Sequence, residues 1–191
     1  GRSVLDLGCG AYILCRAAER VIGLDIDPVS VDHARLNYRA GNLTFVQGSA
    51  VDLGAFRAGE FDLVVCFELI EHVDEQMKLM AEVARVLRAD GLLVISTPER
   101  LKYNAGLQAP NPFHVRELDR AEFERLLSGW FKHVGLWGQS ALSGSEMVRL
   151  DRQPGAPLSC GRYGFRWNRG EWIEAESLPS TYLGAVASRT G

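Results

Sequence analysis

The stretch Val4–Asp27, "VLDLGCGAYILCRAAERVIGLDID", decides the fold. It holds two apolar runs: the first carries Asp6 just before a Gly8-Cys9-Gly10 turn, and the second closes on Asp25 in "GLDID". Glycine has no Cβ, so a turn built on Gly8 and Gly10 lets backbone approach a ligand closely. An acid at the end of the neighbouring strand is placed to accept hydrogen bonds from ribose hydroxyls. Asp6, the glycine turn and Asp25 together predict a pocket for an adenosine-type cofactor.

Outward from this stretch, apolar and β-branched runs alternate with segments of helical period. Strands are expected at Ser3 to Leu7, Val21 to Asp25, Leu43 to Gln47, Phe61 to Phe67 and Gly91 to Ser96. Helices are expected at Tyr12 to Glu19, at Pro28 to Arg39 with Pro28 in the first turn, and at Asp74 to Leu87. In the last of these Met77, Met80, Ala81, Ala84 and Leu87 keep the i, i+3, i+4 spacing of a buried face. Gly91 reads as the helix stop before the fifth strand. The alternation is that of a parallel sheet with helical crossovers, an α/β class.

Beyond "STPE" the texture changes. Lys102 to Arg116 is a long loop with Asn, Gly and two prolines, a length usually tied to function. Asp119 caps a short helix to Leu127, "FKHVGLWGQS" is a strand, and "STYLGAVASR" is a last apolar strand expected to pair antiparallel with Phe131 to Gln139 at the sheet edge. Ser143 to Trp172, rich in Gly, Pro and Arg, has no clear period and predicts irregular structure. Its Arg149, Arg152, Arg162, Arg166 and Arg169 interleave with Tyr163, Phe165, Trp167 and Trp172, a lid or edge insertion or else a surface for stacking on a sugar or base.

With 191 residues the chain suits one domain, 1–191, whose residues 1–98 form the cofactor-binding half and 99–191 the acceptor side. A net charge of −3 gives no basic field for holding nucleic acid non-specifically. Cys9, Cys15, Cys66 and Cys160 show no metal-site spacing and read as buried free thiols in a reducing compartment. No run reaches the roughly 18–20 apolar residues of a membrane span, and no signal peptide precedes Val4. The expected location is cytoplasmic. His33 and His133 read as surface or boundary residues, and the charged pairs of the Asp74 to Arg88 segment as its solvated face.

Taken in order, "VLDLGCG", "GLDID", "FVQGSAVDL", "FDLVVCFELIEHV" and "LRADGLLVISTPE" resemble the successive motifs of class I S-adenosylmethionine-dependent methyltransferases. The likeness covers Val4 to Pro98 and more loosely the whole chain. It implies a doubly wound, mostly parallel seven-stranded sheet of the Rossmann-like methyltransferase fold with an antiparallel edge hairpin. It also implies that Asp6, Gly8 and Gly10 line the methionine moiety of S-adenosyl-L-methionine, or of the product S-adenosyl-L-homocysteine. Asp25 would hold the ribose, Ile26 would lie on the adenine, Ser49 and Ala50 would edge it, and Phe67 would lie under the cofactor. Ser49 stands where the family often has Asp. The family also has a third glycine two residues past Gly10 and about 20 residues to the ribose acid, whereas Gly10 to Asp25 spans 15 positions. Either the loop is truly shortened, which would impair cofactor binding, or a glycine segment is missing between Gly10 and Ala11, which a Cα separation well above 3.8 Å would reveal.

The second constellation is "FELIEHV". Helical, it would put Glu68, Glu71 and His72 on one face at the carboxyl end of a central strand, where open α/β sheets bind ligands. His114, in "NPFHV", lies on the long loop that can fold over the same mouth. Ubiquinone-biosynthesis O-methyltransferases and small-RNA 2′-O-methyltransferases carry a similar E-x-x-E-H stretch and a later loop histidine. In the latter family the four residues bind magnesium. Three readings stand: Glu68, Glu71, His72 and His114 as Mg2+ ligands; His72 or His114 as general base with Glu71 beside it; or a structural cluster.

The function expected is methyl transfer to a hydroxyl of a small molecule or sugar. Metal-assisted 2′-O-methylation of RNA ribose is one alternative, with nucleic acid otherwise an unlikely partner. A degenerate domain that binds a partner protein is another. A nicotinamide dehydrogenase shares the strand, glycine turn and ribose acid, but "GCG" is not G-x-G-x-x-G and "ELIEHV" has no role there.

Overall fold

The structure is a computed structural model and describes residues 2–10, 18–104, 109, 111–142, 144–149, 167–168, 171–172 and 182–190. In chain order the elements are β1 (Ser3–Leu7), β2 (Arg20–Asp25), α1 (Pro28–Asn37), β3 (Leu43–Gln47), β4 (Phe61–Phe67), a 3₁₀ turn (Ile70–His72), α2 (Gln76–Val86) and β5 (Leu87–Pro98). There follow α3 (Arg100–Tyr103), α4 (Arg120–Ser128), β6 (His133–Leu142), β7 (Gly144–Arg149), β8 (Trp167–Asn168), β9 (Glu171–Trp172) and β10 (Tyr182–Ser188).

The main sheet runs β3-β2-β1-β4-β5-β10-β6-β7. Strands β1 to β5 are mutually parallel, and the order turns back on itself between β1 and β4, where open sheets of this class leave a crevice. Register brings the carboxyl ends level: Leu7 pairs with Leu24 and Cys66, Asp25 with Gln47, and Phe67 with Ser96. The apolar runs are continuous because both faces are covered; Leu5, Leu7, Val64, Cys66 and Leu93 are wholly buried.

The seven expected strands are present, with two corrections at the antiparallel end. β10 does pair with β6, Ala185 opposite Leu136, but it lies between β5 and β6 rather than at the rim. Leu183, Ala185 and Ala187 are buried there and need a neighbour on both sides. β7, inside the segment expected to be irregular, adds an eighth strand outside β6, and β8 and β9 form a separate short ladder. The other residues of the Arg- and aromatic-rich segment, apart from Arg149, lie outside the described residues.

The helices follow local chemistry. Asp27 caps α1 by accepting from Val29 and Ser30 N–H groups, with Pro28 at the first position. Asp119 and Glu122 close a reciprocal capping box on α4. The buried face of α2 is Gln76, Leu79, Met80, Val83 and Ala84; Met77, expected inside, is exposed. That helix stops at Val86, before Gly91, and Gly91 serves a different end. A Cβ there would sit 2.9 Å from Leu87 Cδ2 and 3.2 Å from the Arg88 backbone, in the bulge where β5 shifts register against β4.

The charged pairs of α2 are not all solvated. Arg85 donates to the Leu53 and Phe56 carbonyls, and Glu82 accepts the Leu53 N–H, so the pair clamps the turn after β3. Of the expected Tyr12 to Glu19 helix only Ala18 and Glu19 are described, and they lead into β2 without helical structure. Cys9 and Cys66 are buried free thiols, as expected; Cys15 and Cys160 lie outside the described residues. Burial pushes both thiols up, so neither is a nucleophile at neutral pH. No helix among the described residues is long and apolar enough to cross a membrane.

Candidate active site

At the crevice, Gly8 (φ 66°) and Gly10 (φ 50°) adopt the left-handed conformation that side chains resist. A Cβ on Gly8 would lie 3.0 Å from Leu69 Cδ1, whereas one on Gly10 would meet nothing within 4 Å. The turn is tied to β2. The Gly8 and Cys9 N–H groups donate to the Leu24 carbonyl, and Gly10 N–H donates to Asp25 Oδ2 at 2.8 Å. The other Asp25 oxygen accepts from Asp27 N–H, and the Asp25 carbonyl accepts from Gly48, which leads into Ser49 and Ala50.

Asp6 is 6% exposed, and burial pushes its carboxyl up to about 7, with the Asp25 charge adding to the effect. Two apolar side chains beside these acids stay uncovered, Ile26 at 70% and Phe67 at 39% exposure. Glycine turn, paired acids and flanking apolar faces fit the adenosine and methionine parts of S-adenosylmethionine: Asp25 would hold the ribose, and Ile26 the adenine face. Ala11 is not described, so the separation that would reveal a missing glycine segment lies outside the described residues.

The E-L-I-E-H segment is not an α-helix. Glu68 takes φ 48° and only Ile70–His72 turns, in 3₁₀ form. Glu68 therefore swings away: its N–H and carboxylate both engage Ser96, the hydroxyl donating at 2.6 Å. Burial raises its carboxyl above the usual range, against the pull of Ser96 and the two histidines. Glu71 is 1% exposed, accepts the Thr97 hydroxyl at 3.1 Å, and is pushed by burial up to about 7, Glu68 adding to it.

The long loop after β5 is fastened across this turn. Val115 and Arg116 N–H groups donate to the Glu71 carbonyl, and the buried Gln76 amide donates to the Ile70 and Arg116 carbonyls. His114 is thereby set against His72, ring centroids 4.9 Å apart, with Tyr103 at 5.3 Å from His114 and Tyr182 beyond it. His72 Nδ1 lies 2.8 Å from the Phe113 carbonyl oxygen, which can only accept. That nitrogen therefore donates, and Nε2 lies 4.0 Å from Glu71 Oε1. His114 Nδ1 donates to Glu117, and its Nε2 faces the Asn111 amide at 3.0 Å.

The atoms that Glu71, His72 and His114 can offer an ion lie within 4.8 Å of one another, and Glu68 stands outside that trio. Two imidazoles and a carboxylate suit a first-row transition ion, whereas magnesium takes oxygen ligands, so the trio fits magnesium poorly.

Residues 5–95 match the family model of a methyltransferase domain. A "Probable S-adenosylmethionine-dependent methyltransferase" of Mycolicibacterium smegmatis is 41% identical over an alignment of 168 residues that covers 80% of this chain and 64% of that protein. The chain carries a domain of the S-adenosylmethionine-dependent methyltransferase family. The methyltransferase domain is also 37% identical over 106 residues to a ubiquinone biosynthesis O-methyltransferase of Thiobacillus denitrificans, covering 52% of this chain and 46% of that one. The chain thus spans about two thirds or less of the length of these relatives. A Thermotoga maritima structure described as a possible histamine N-methyltransferase superposes with a TM-score of 0.69 over 100% of this chain and 83% of its own, at 14% identity, a likeness of fold alone.

Glu117, Asn104, Asn111, Ser96 and Thr97 were not singled out in the sequence. Only the H-x-x-E spacing of His114 and Glu117 offered a signal, and in a loop that spacing carries no periodicity to support it.

Proposed function

We propose that this domain methylates an oxygen acceptor, a hydroxyl of a small molecule or sugar, using S-adenosyl-L-methionine. One observation carries the reading: His72 Nδ1 is engaged by the Phe113 carbonyl, so on this partly exposed ring Nε2 is the nitrogen left to take a proton. Leu69, two residues before Glu71, packs on Gly8, so base and glycine turn share one wall. When bound, the cofactor supplies an electrophilic methyl group that needs no further activation. The residues of this chain must then align the acceptor and take its proton. A hydroxyl needs that help; an amine can lose its proton to solvent. His72 Nε2 is the group that receives the hydroxyl proton, and buried Glu71, together with His114, steadies the charge that results. Tyr103, Tyr182 and His72 offer the flat faces on which a sugar or phenol ring can rest. The partial likeness to a ubiquinone O-methyltransferase supports an oxygen acceptor.

The test is calorimetric titration of S-adenosylhomocysteine into the purified protein, with magnesium and with EDTA. Binding that EDTA leaves unchanged is the expected result. No binding under either condition would replace this reading with that of a partner-binding domain.

A further inference from the structure

We propose that Glu117 is a positioning residue of this site, holding the Nδ1 proton of His114 so that the ring keeps one tautomer and one orientation against His72. The inference rests on the proton-transfer reading above. His114 and Glu117 are buried side by side, their side chains 7% and 8% exposed, with Nδ1 2.5 Å from Oε1. The other carboxylate oxygen accepts from Asn104 Nδ2, which also donates to the Arg100 carbonyl. Asn104 Oδ1 is left buried without a partner among the described residues. A buried acceptor without a donor is unfavourable, yet reversing the amide would turn its oxygen onto the carboxylate. The amide orientation present is the one that gives each Glu117 oxygen a donor.

A chain of bonds then runs from Asn104 through Glu117, His114 and Asn111 to the Phe113 N–H, whose own carbonyl fixes His72. Glu117 touches neither acceptor nor cofactor; it acts through His114, as a second layer of partners orients a functional imidazole. Glutamine at this position replaces one of the two acceptor oxygens by an NH2 group, so in this geometry it cannot accept from both His114 Nδ1–H and Asn104 Nδ2–H. Aspartate keeps two acceptors on a shorter stem.

The experiment is long-range proton–nitrogen NMR on protein labelled with 15N-histidine, comparing the parent chain with Glu117→Gln and Glu117→Asp, with His33 and His133 as internal controls. The expected result is Nδ1–H on His114 in the parent, a mixture of tautomers in Glu117→Gln, and recovery in Glu117→Asp. An unchanged His114 tautomer in Glu117→Gln, or Nε2–H in the parent, overturns the proposal. Where Glu117→Gln does not fold, the parent spectrum and Glu117→Asp decide it. In parallel, turnover is measured with catechol and methyl glucoside as phenolic and sugar probes. At least tenfold lower kcat in Glu117→Gln, with KM for S-adenosylmethionine within twofold, supports positioning; equal kcat overturns it. Failure of both probes in the parent counts against oxygen methylation and leaves the tautomer assignment standing on its spectrum.

Discussion

His72 Nδ1 lies 2.8 Å from the carbonyl oxygen of Phe113, a residue 41 positions further along the chain. A backbone carbonyl thus chooses the tautomer of the proposed base. We expect His72→Ala and His114→Ala each to lower turnover by at least roughly 10²-fold, the lower range for losing a general acid or base, with S-adenosylhomocysteine affinity nearly intact. Steady-state kinetics beside calorimetry checks this, and unchanged turnover in both would remove the histidines from the mechanism.

Asp25 accepts from Gly10 and Asp27 before any ribose arrives. Asp25→Ala removes the ribose acceptor and the tether of the glycine turn together. S-adenosylhomocysteine binding is expected to weaken at least about tenfold, the worth of one charge-assisted hydrogen bond of about 1.5–3 kcal/mol. Wild-type affinity in that variant would show that the turn and its acid do not form the ribose site.

Gly8→Ala forces a side chain into a φ of 66° and against Leu69 Cδ1 at 3.0 Å. The left-handed conformation alone destabilises by about 1–2 kcal/mol, which lowers Tm by a few degrees in a domain of this size. Gly10→Ala, with open space around its Cβ, should show the strain without the Leu69 contact, so calorimetric melting should rank Gly8→Ala as the worse of the two.

Asp6 sits at about 7 in the native state against an ordinary 3.8, because of burial first and Asp25 second. Between those values the folded chain holds more of the proton than the unfolded chain, so this group makes unfolding free energy fall as pH rises from about 4 to about 7, then level off. Glu71, also at about 7, acts in the same direction. Asp6→Asn is isosteric and uncharged. It should be more stable than the parent by a few kcal/mol at pH 8, with the gap closing toward pH 4. Urea melts at the two pH values measure this; a gap independent of pH would mean that Asp6 ionises freely.

Continuous apolar runs, helical spacing and cap residues were enough to place β1 to β5, α1, α2 and α4, since each is a local consequence of which faces are covered. Glycine and acid positions likewise drew attention to Gly8 and Gly10, both left-handed here, and to the buried Asp6. Met77 is exposed and Gln76 buried because the covered face of α2 is set by the sheet beneath it and by the Arg116 carbonyl that Gln76 reaches, not by spacing within the helix. The place of β10 between β5 and β6 was equally invisible, since strand order depends on how the sheet closes.

The sequence by itself determined the α/β class and the glycine turn between β1 and β2, because these follow from apolar patterning and from backbone freedom at single positions. Only the tertiary structure decided which mouth residues meet. Glu68 turned to Ser96 through one left-handed backbone angle, while His114, Glu117 and Asn104 came together through a loop with no repeating pattern. Those contacts are long-range hydrogen bonds between buried polar groups. Burial is a property of the packed whole, so no short stretch of chain encodes it.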